Sequence, residues 1–291
     1  MNILITGASG FIGSHIIQKL YSFNEGTIYA LTRNKQKFKQ SNIVSIYADL
    51  NDPNFEAELP KQVDCIVHLA QSEAYREFPE KANEIFSINL NATQRLLNWG
   101  YRNRIKKFIF ASSGNVYKQQ NKLLTENDSC APVGYYGASK FAAEQLVQSY
   151  QDYFEAYVLR IFGVYGAGQQ KMTIPNIINK VRNGEEIILA NNEGLYFTPL
   201  YIDDCVEMIL KIILSEKNRR LSIYNIAGDE SVSLTRVVDL IAEIENIKPK
   251  KLVVNTRPMY LMGDSSLFKK DFNYQPETDI KTGITITLNH E

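Results

Sequence analysis

The chain has 291 residues, 44% of them hydrophobic and 22% charged, and its 32 basic side chains equal its 32 acidic ones. Those proportions suit a globular protein able to bury a full core, as one large domain or a domain with a smaller companion, and the zero net charge leaves no overall field to attract nucleic acid or an anionic membrane. The cysteines, Cys65, Cys130 and Cys205, lie far apart in no metal-ligand spacing and are expected to be free thiols.

Ile3, Leu4 and Ile5 make an apolar run without helical spacing, which predicts a buried strand. With no basic leader before it and no apolar run of about 18 residues anywhere, a cytoplasmic protein is expected. Gly7, Gly10 and Gly13 follow at intervals of three, and Ile12, Ile16, Ile17 and Leu20 then continue at helical spacing. A strand, glycine turn and helix in this order suit the pyrophosphate of a dinucleotide, because the helix start offers free N–H groups and the positive end of its dipole. Gly7 is expected to make the tight turn, Gly10 the close approach and Gly13 the helix-to-strand contact.

Further strands are predicted at 27–31, 43–47, 65–70 and 108–113, with short helical material at 53–59 and a helix over about 80–98. A polar loop, 118–132, precedes a helix over about 137–150 and a strand at 157–161. Beyond these come a helix at 174–182, short strands near Ile187 and Leu200, a helix from Asp203 to about Ser215, a strand at 223–226, a helix at 234–244, a strand at 252–254 and a polar tail. The alternation argues for an α/β, Rossmann-type doubly wound parallel sheet with a small C-terminal substrate-binding cap. The expected division is 1–162, with 199–228 returning to it, as the dinucleotide-binding domain, and 163–198 with 229–291 as the cap. No internal repeat or low-complexity linker is visible.

Tyr136 and Lys140 are four apart, so on a helix they share a face, and the pair suits a general acid/base that interconverts an alcohol and a ketone. Lys140 and a positive nicotinamide ring are expected to favour the phenolate of Tyr136, and Lys140 can also hold ribose hydroxyls. Ser113 ends a strand where ligands collect in parallel sheets and is expected to orient and polarise the substrate oxygen. His68 reads as a loop support and His15 as a helix packing residue; the histidines are too scattered for a metal site, and none is expected. Asp203 and Asp204 read as helix-initiating residues.

Thr6-Gly-Ala-Ser-Gly-Phe-Ile-Gly13, His68-Leu-Ala70, Asn89 in Asn-Leu-Asn-Ala-Thr93, Ser112-Ser-Gly-Asn-Val-Tyr117, Tyr136-Gly-Ala-Ser-Lys140 and Leu159-Arg-Ile-Phe-Gly-Val-Tyr-Gly166 occur in that order. In these marks the chain, from residue 1 to about 280, resembles the extended short-chain dehydrogenase/reductases of the nucleotide-sugar epimerase/dehydratase branch. The resemblance implies catalytic roles for Ser113, Tyr136 and Lys140. It implies cofactor contacts at Gly7, Gly10, Phe11, Ile12, Gly13, Asp49, Leu50, Leu69, Ala70, Asn89, Tyr136 and Lys140, and substrate contacts at Ser113, Asn115 and Arg257. A homodimer joined through helices near 82–99 and 139–151 is also implied.

Two departures narrow the reading. Gly114 and Asn115 stand where dehydratases of this branch carry an acidic pair, which disfavours a 4,6-dehydratase, and Phe197 replaces an arginine common among sugar-nucleotide enzymes. After the second strand, Thr32-Arg33-Asn34 replaces the acidic residue that bonds the ribose of NAD, and Arg33 can pair with a 2′-phosphate, so NADP is expected, with NAD the alternative. The leading expectation is an NADPH-dependent 4-ketoreductase acting on a nucleoside-diphosphate sugar or related keto-sugar. A nucleotide-sugar 4-epimerase is the alternative, and a non-catalytic dinucleotide-binding scaffold or sensor is the alternative of another class.

Overall fold

A computed structural model describes residues 1–22, 26–33, 38, 40–217 and 219–290. The first half alternates strand and helix: β1 (Ile3–Thr6), α1 (Phe11–Tyr21), β2 (Ile28–Thr32), β3 (Ile43–Tyr47), β4 (Cys65–His68), α2 (Ala82–Phe86), α3 (Ala92–Arg102), β5 (Lys107–Ser113), α4 (Tyr135–Gln148) and β6 (Glu155–Ile161). Then follow β7 (Val164–Tyr165), α5 (Thr173–Arg182), β8 (Glu186–Ala190), β9 (Leu195–Phe197), β10 (Leu200–Tyr201), α6 (Ile202–Ile213) and β11 (Leu221–Ile226). The chain ends with β12 (Val232–Ser233), α7 (Leu234–Glu245), β13 (Lys250–Val254), β14 (Met259–Leu261), α8 (Ser266–Phe272) and α9 (Ile280–Asn289).

Seven strands form one sheet in the order β11-β6-β5-β4-β1-β2-β3, the Rossmann-type arrangement expected from the sequence. β1 to β5 pair in parallel, with Thr6 opposite both Leu31 and His68, Thr32 opposite Tyr47, and His68 opposite Phe110. This register brings the carboxyl ends of five strands to one edge. The order reverses between β1 and β4, and ligands of open α/β sheets collect outside such a switch point. Leu4, Ile66, Leu96, Phe108, Val147 and Val158 belong to the apolar core of this part.

Instead of one regular helix over 80–98, α2 and α3 are joined by a single wide turn, Ser87–Asn91. The extra residue in that turn lies near Asn89, which is buried.

The chain divides into two compact units. One comprises Met1–Lys118, Ser129–Arg160 and Ile209–Tyr224; the other comprises Gln119–Asp128, Ile161–Met208 and Asn225–Glu291. Residues 119–128, 161–162, 199–208 and 225–228, expected with the sheet, thus group with the second unit. Within that unit α5, α7 and α9 pack together, and Arg182 ties them, pairing with Glu245 at 2.9 Å and donating to the Leu288 carbonyl at 3.4 Å.

The expected polar tail is a correction: past Val254 the chain forms β14, α8 and α9, anchored by buried Phe268, Ile280, Ile284 and Leu288. Threonines among the apolar residues of α9 hide its helical stripe, while Asp279 caps its start by accepting from Thr282 N at 2.8 Å. Asp203 and Asp204 stand in the first turn of α6, as expected, and Asp204 has a second role. It is 3% exposed and accepts from Tyr274 O–H at 2.7 Å, Glu277 N at 2.8 Å and Thr278 N at 3.0 Å, which fixes the segment between α8 and α9. Asp204→Ala is expected to lower stability by about 3 kcal/mol, since it deprives a phenol and two amides of their acceptor. Urea unfolding measures this, and an unchanged midpoint would refute the role.

Candidate active site

The turn between β1 and α1 has the geometry that its glycines demand. Gly7 lies at φ +68°, and a Cβ there would meet Ala70 N at 2.9 Å, so this loop and the one after β4 touch through backbone. A Cβ on Gly13 would lie 2.3 Å from Gly7 O, which makes glycine the condition for α1 to start so close to the turn. Gly10 is different: its added Cβ would meet only Gly7 O, at 3.1 Å, and no other protein atom within 4 Å. Internal packing therefore asks less of Gly10 than of Gly7 or Gly13, its one tight contact being with the carbonyl of the turn itself. No side chain caps the helix at Gly10 and its first turn holds no acidic residue. Half-buried Phe11 and Ile12 open that first turn.

His68, Thr6, Thr93 and Asn89 support this loop from beneath. Thr93 Oγ1 donates to Asn89 O at 2.8 Å, so it accepts from His68 Nε2–H at 2.9 Å; His68 Nδ1 is then the acceptor for Thr6 Oγ1 at 2.6 Å. Thr6 Oγ1 in turn accepts from Ala70 N at 3.2 Å. Burial drives the His68 imidazole down to about 3, in keeping with a neutral ring, and nearby Lys140 acts in the same direction. Asn89, expected at the cofactor, has both ends of its amide engaged by protein: Oδ1 accepts from Ser72 N at 2.9 Å and Nδ2 donates to Ser139 Oγ at 3.0 Å.

The candidate catalytic residues are all on the first unit. Gly137 lets α4 approach the turn after β5, since a Cβ there would meet Asn115 O at 2.4 Å. Ser113 Oγ accepts from Asn115 N at 3.2 Å and Asn115 Nδ2 at 3.3 Å, which leaves its own proton to donate. Tyr136 interacts with Ser113, meets the Tyr75 ring at a tilt with centres 4.9 Å apart, and donates its O–H to Gln71 Oε1 at 2.7 Å. Burial pushes its phenol well above the ordinary tyrosine value, while hydrogen bonds with Ser113 and Gln71 pull it back. The expected lowering by Lys140 is thus absent from the protein groups alone. The reason is geometric: Lys140 Nζ donates to Ala111 O at 2.8 Å and lies 5.0 Å from the centre of the Phe110 ring.

Ser112 meets a residue that the sequence reading missed. Glu144, one turn beyond Lys140 and with no exposed surface, accepts from Ser112 Oγ and pairs with Arg160, whose Nη2 is 2.8 Å from Oε2 and whose Nε is 3.1 Å from Oε1. Its spacing from Lys140 was visible, but the arginine that neutralises it comes from β6. Gln71 and Tyr75 were missed too, because a contact with a residue some 60 positions later has no local signature.

The remaining expected positions are more dispersed. Arg33, Asp49, Leu50, Leu69 and Ala70 follow the ends of β2, β3 and β4. Arg33 is exposed and faces the Glu73 carboxylate at 3.7 Å, while Asn34 lies outside the described residues. Arg257 is exposed after β13 in the second unit. In the same unit Phe197 is buried against Gly163. Cys65, Cys130 and Cys205 are free, and burial pushes the Cys65 thiol up to about 12. Among the described residues no group of three or more His, Cys, Asp or Glu side chains is placed to hold a metal ion.

Burial also drives Lys140 down to about 7, with Glu144 pulling the other way. Between that value and the 10.5 of an unburied lysine, the unfolded chain binds a proton that the folded chain has lost. Stability should therefore rise with pH across this window, by up to about 1.4 kcal/mol per pH unit from this one group. Urea unfolding at a series of pH values is expected to show this slope in the wild type and a smaller one in Lys140→Met; equal slopes would contradict it.

A model of the NAD dependent epimerase/dehydratase family matches residues 3–227. The chain is 29% identical to a Bacillus subtilis (strain 168) protein described as the uncharacterized UDP-glucose epimerase YtcB, over 98% of this chain and 96% of that one. It is 26% identical to UDP-glucuronate 4-epimerase 2 of Arabidopsis thaliana, over 98% of this chain and 74% of that one. Among solved structures, MoeE5 in complex with UDP-glucuronic acid and NAD superposes with a TM-score of 0.89 at 25% identity, covering 100% of this chain and 98% of that chain. With the glycine turn, the strand order and the match across most of its length, the chain belongs to the NAD dependent epimerase/dehydratase family and is an extended short-chain dehydrogenase/reductase enzyme.

Proposed function

We propose that this enzyme is a nucleotide-sugar 4-epimerase that works with bound NAD. The observation that carries the reading is the Tyr136 phenol interacting with Ser113, in a chain similar along its length to proteins named as UDP-sugar epimerases. This replaces the leading expectation of an NADPH-dependent ketoreductase. That expectation leaned on Arg33, which has a carboxylate partner in Glu73, and MoeE5 is a similar structure solved with NAD.

The glycine turn and the uncapped start of α1 suit the cofactor's pyrophosphate, and bare Gly10 suits its close approach. When bound, NAD supplies the hydride acceptor and returns the hydride. Tyr136, acting as phenolate, takes the proton of the sugar hydroxyl as the alcohol becomes a ketone, and as the neutral phenol gives it back when the other face is reduced. Ser113, its oxygen already accepting from Asn115, donates to the reacting sugar oxygen and holds it beside the phenol. Lys140 is the candidate partner for the ribose hydroxyls. Arg257 is the candidate contact to the sugar nucleotide's phosphates. Exposed Phe86 on α2 and Tyr101 on α3 support the homodimer implied by the family resemblance. No described helix is long and apolar enough to cross a membrane.

Purified enzyme with UDP-glucose or UDP-glucuronic acid and no added cofactor is expected to form the C4 epimer, and Tyr136→Phe to lower kcat by about 10³-fold. Stoichiometric NADPH oxidation by a 4-keto sugar, without epimer formation, would overturn the proposal. Gly10→Ala is expected to lower the Tm of the cofactor-free protein only slightly, the turn giving by a few tenths of an ångström at Gly7 O, yet to lose NAD on gel filtration; undiminished NAD retention would refute the close-approach role of Gly10.

A further inference from the structure

The segment between β4 and α2 lies against the start of α4 through three contacts. Phe78 stacks on Tyr135 with ring centres 4.7 Å apart, Tyr75 meets the Tyr136 ring at 4.9 Å, and Gln71 accepts the Tyr136 hydroxyl proton at 2.7 Å. This strap is held from below. Ser72, fully buried, receives Asn89 Oδ1 on its N–H, donates to Glu84 Oε1 at 3.2 Å and accepts from Ala74 N at 3.1 Å. Gln71, the residue immediately before this anchor, is exposed and has its carbonyl oxygen on the phenol that the acid/base reading needs.

A carboxamide on such a phenol has a specific chemical property. Its oxygen only accepts and its nitrogen only donates, and a half-turn about the last side-chain torsion exchanges them. It can therefore hydrogen-bond the neutral phenol and the phenolate alike, without gaining or losing a proton itself. Leucine can bond neither, and an ionised glutamate bonds only the neutral form and repels the anion.

We propose that Gln71 is a positioning residue for the acid/base step, accepting from Tyr136 O–H in one half of the cycle and donating N–H to the phenolate in the other. The inference rests on the acid/base reading of Tyr136. Around the phenol, Ser113 acts from the end of β5, Tyr75 and Gln71 from the strap, and Lys140 lies on the same helix with its ammonium turned to Ala111 O. The other charged groups of the strap are exposed Glu73, which faces Arg33, Arg76, which lies 5.0 Å from the Tyr75 ring centre, exposed Glu77 and Glu80, and exposed Lys81, which pairs with Glu84 at 4.0 Å. Hydrogen bonding by Gln71 acts to lower the phenol's proton affinity, against burial and Tyr75, which raise it.

The test is an NMR titration of holoenzyme carrying ring-¹³C tyrosine, with the Tyr136 signal identified by its loss in Tyr136→Phe. Wild type, Gln71→Leu and Gln71→Glu are compared; all should fold, since position 71 is exposed, and Tm checks this. The Tyr136 midpoint is expected to rise by about one pH unit in Gln71→Leu and further in Gln71→Glu. The acidic limb of the kcat profile should move with it, with kcat on that limb falling about tenfold and KM little changed. Identical midpoints in all three proteins would overturn the role of Gln71, even if Tyr136→Phe is inactive. Shifted midpoints in a protein that epimerises no sugar nucleotide would instead uphold the Gln71 contact and overturn the epimerase reading.

Discussion

A carboxylate with no exposed surface is tolerable only beside a fixed countercharge, and Glu144 on α4 has one in the forked guanidinium of Arg160 on β6. Taking away either partner would strand the other, at a cost of about 3–5 kcal/mol. Ser112 on β5 completes the carboxylate's hydrogen bonding. One helix and two strands are thereby held in a single register, because sliding α4 by a residue would break all of these contacts together. Tyr136 and Lys140 are carried two turns and one turn before Glu144, and Ser113 is the neighbour of Ser112. The relation between hydroxyl, phenol and ammonium thus follows from an ion pair beneath them.

The same logic runs through the polar groups under the loops. Thr6, His68, Thr93, Asn89, Ser72 and Ser139 form hydrogen bonds that join β1, β4, the wide helical turn and α4. A neutral imidazole serves here because it donates from one nitrogen and accepts at the other. With these groups engaged by protein, the described groups that a ligand can engage include the amides at the start of α1, where no side chain caps the helix at Gly10, and the Ser113–Tyr136–Gln71 hydrogen-bonded set.

Arg33 illustrates how a sound local argument can favour a reaction that the similar proteins back less well. A cation in place of an acidic residue does remove the repulsion of a 2′-phosphate, and it was read as a sign of reductive chemistry. Its environment includes Glu73 on the strap, a carboxylate that sequence distance concealed. The similarity to UDP-sugar epimerases then outweighs a single exposed arginine, and the balance moves from reductase to epimerase.

The sequence by itself determined what depends on neighbours along the chain. The parallel-sheet alternation, the glycine turn and the Tyr136–Lys140 spacing all express short-range periodicity or backbone sterics, and these were readable without coordinates. It misled where apolar spacing was diluted, as in the threonine-rich α9, and where an extra residue in a helix left no compositional mark, as at 87–91. Only the tertiary structure decided that Glu144 meets Arg160, that Asp204 holds a segment 70 residues later, and that Gln71 sits on the Tyr136 hydroxyl. Such contacts join side chains whose proximity is set by strand order and crossover length, so no window of sequence contains both partners.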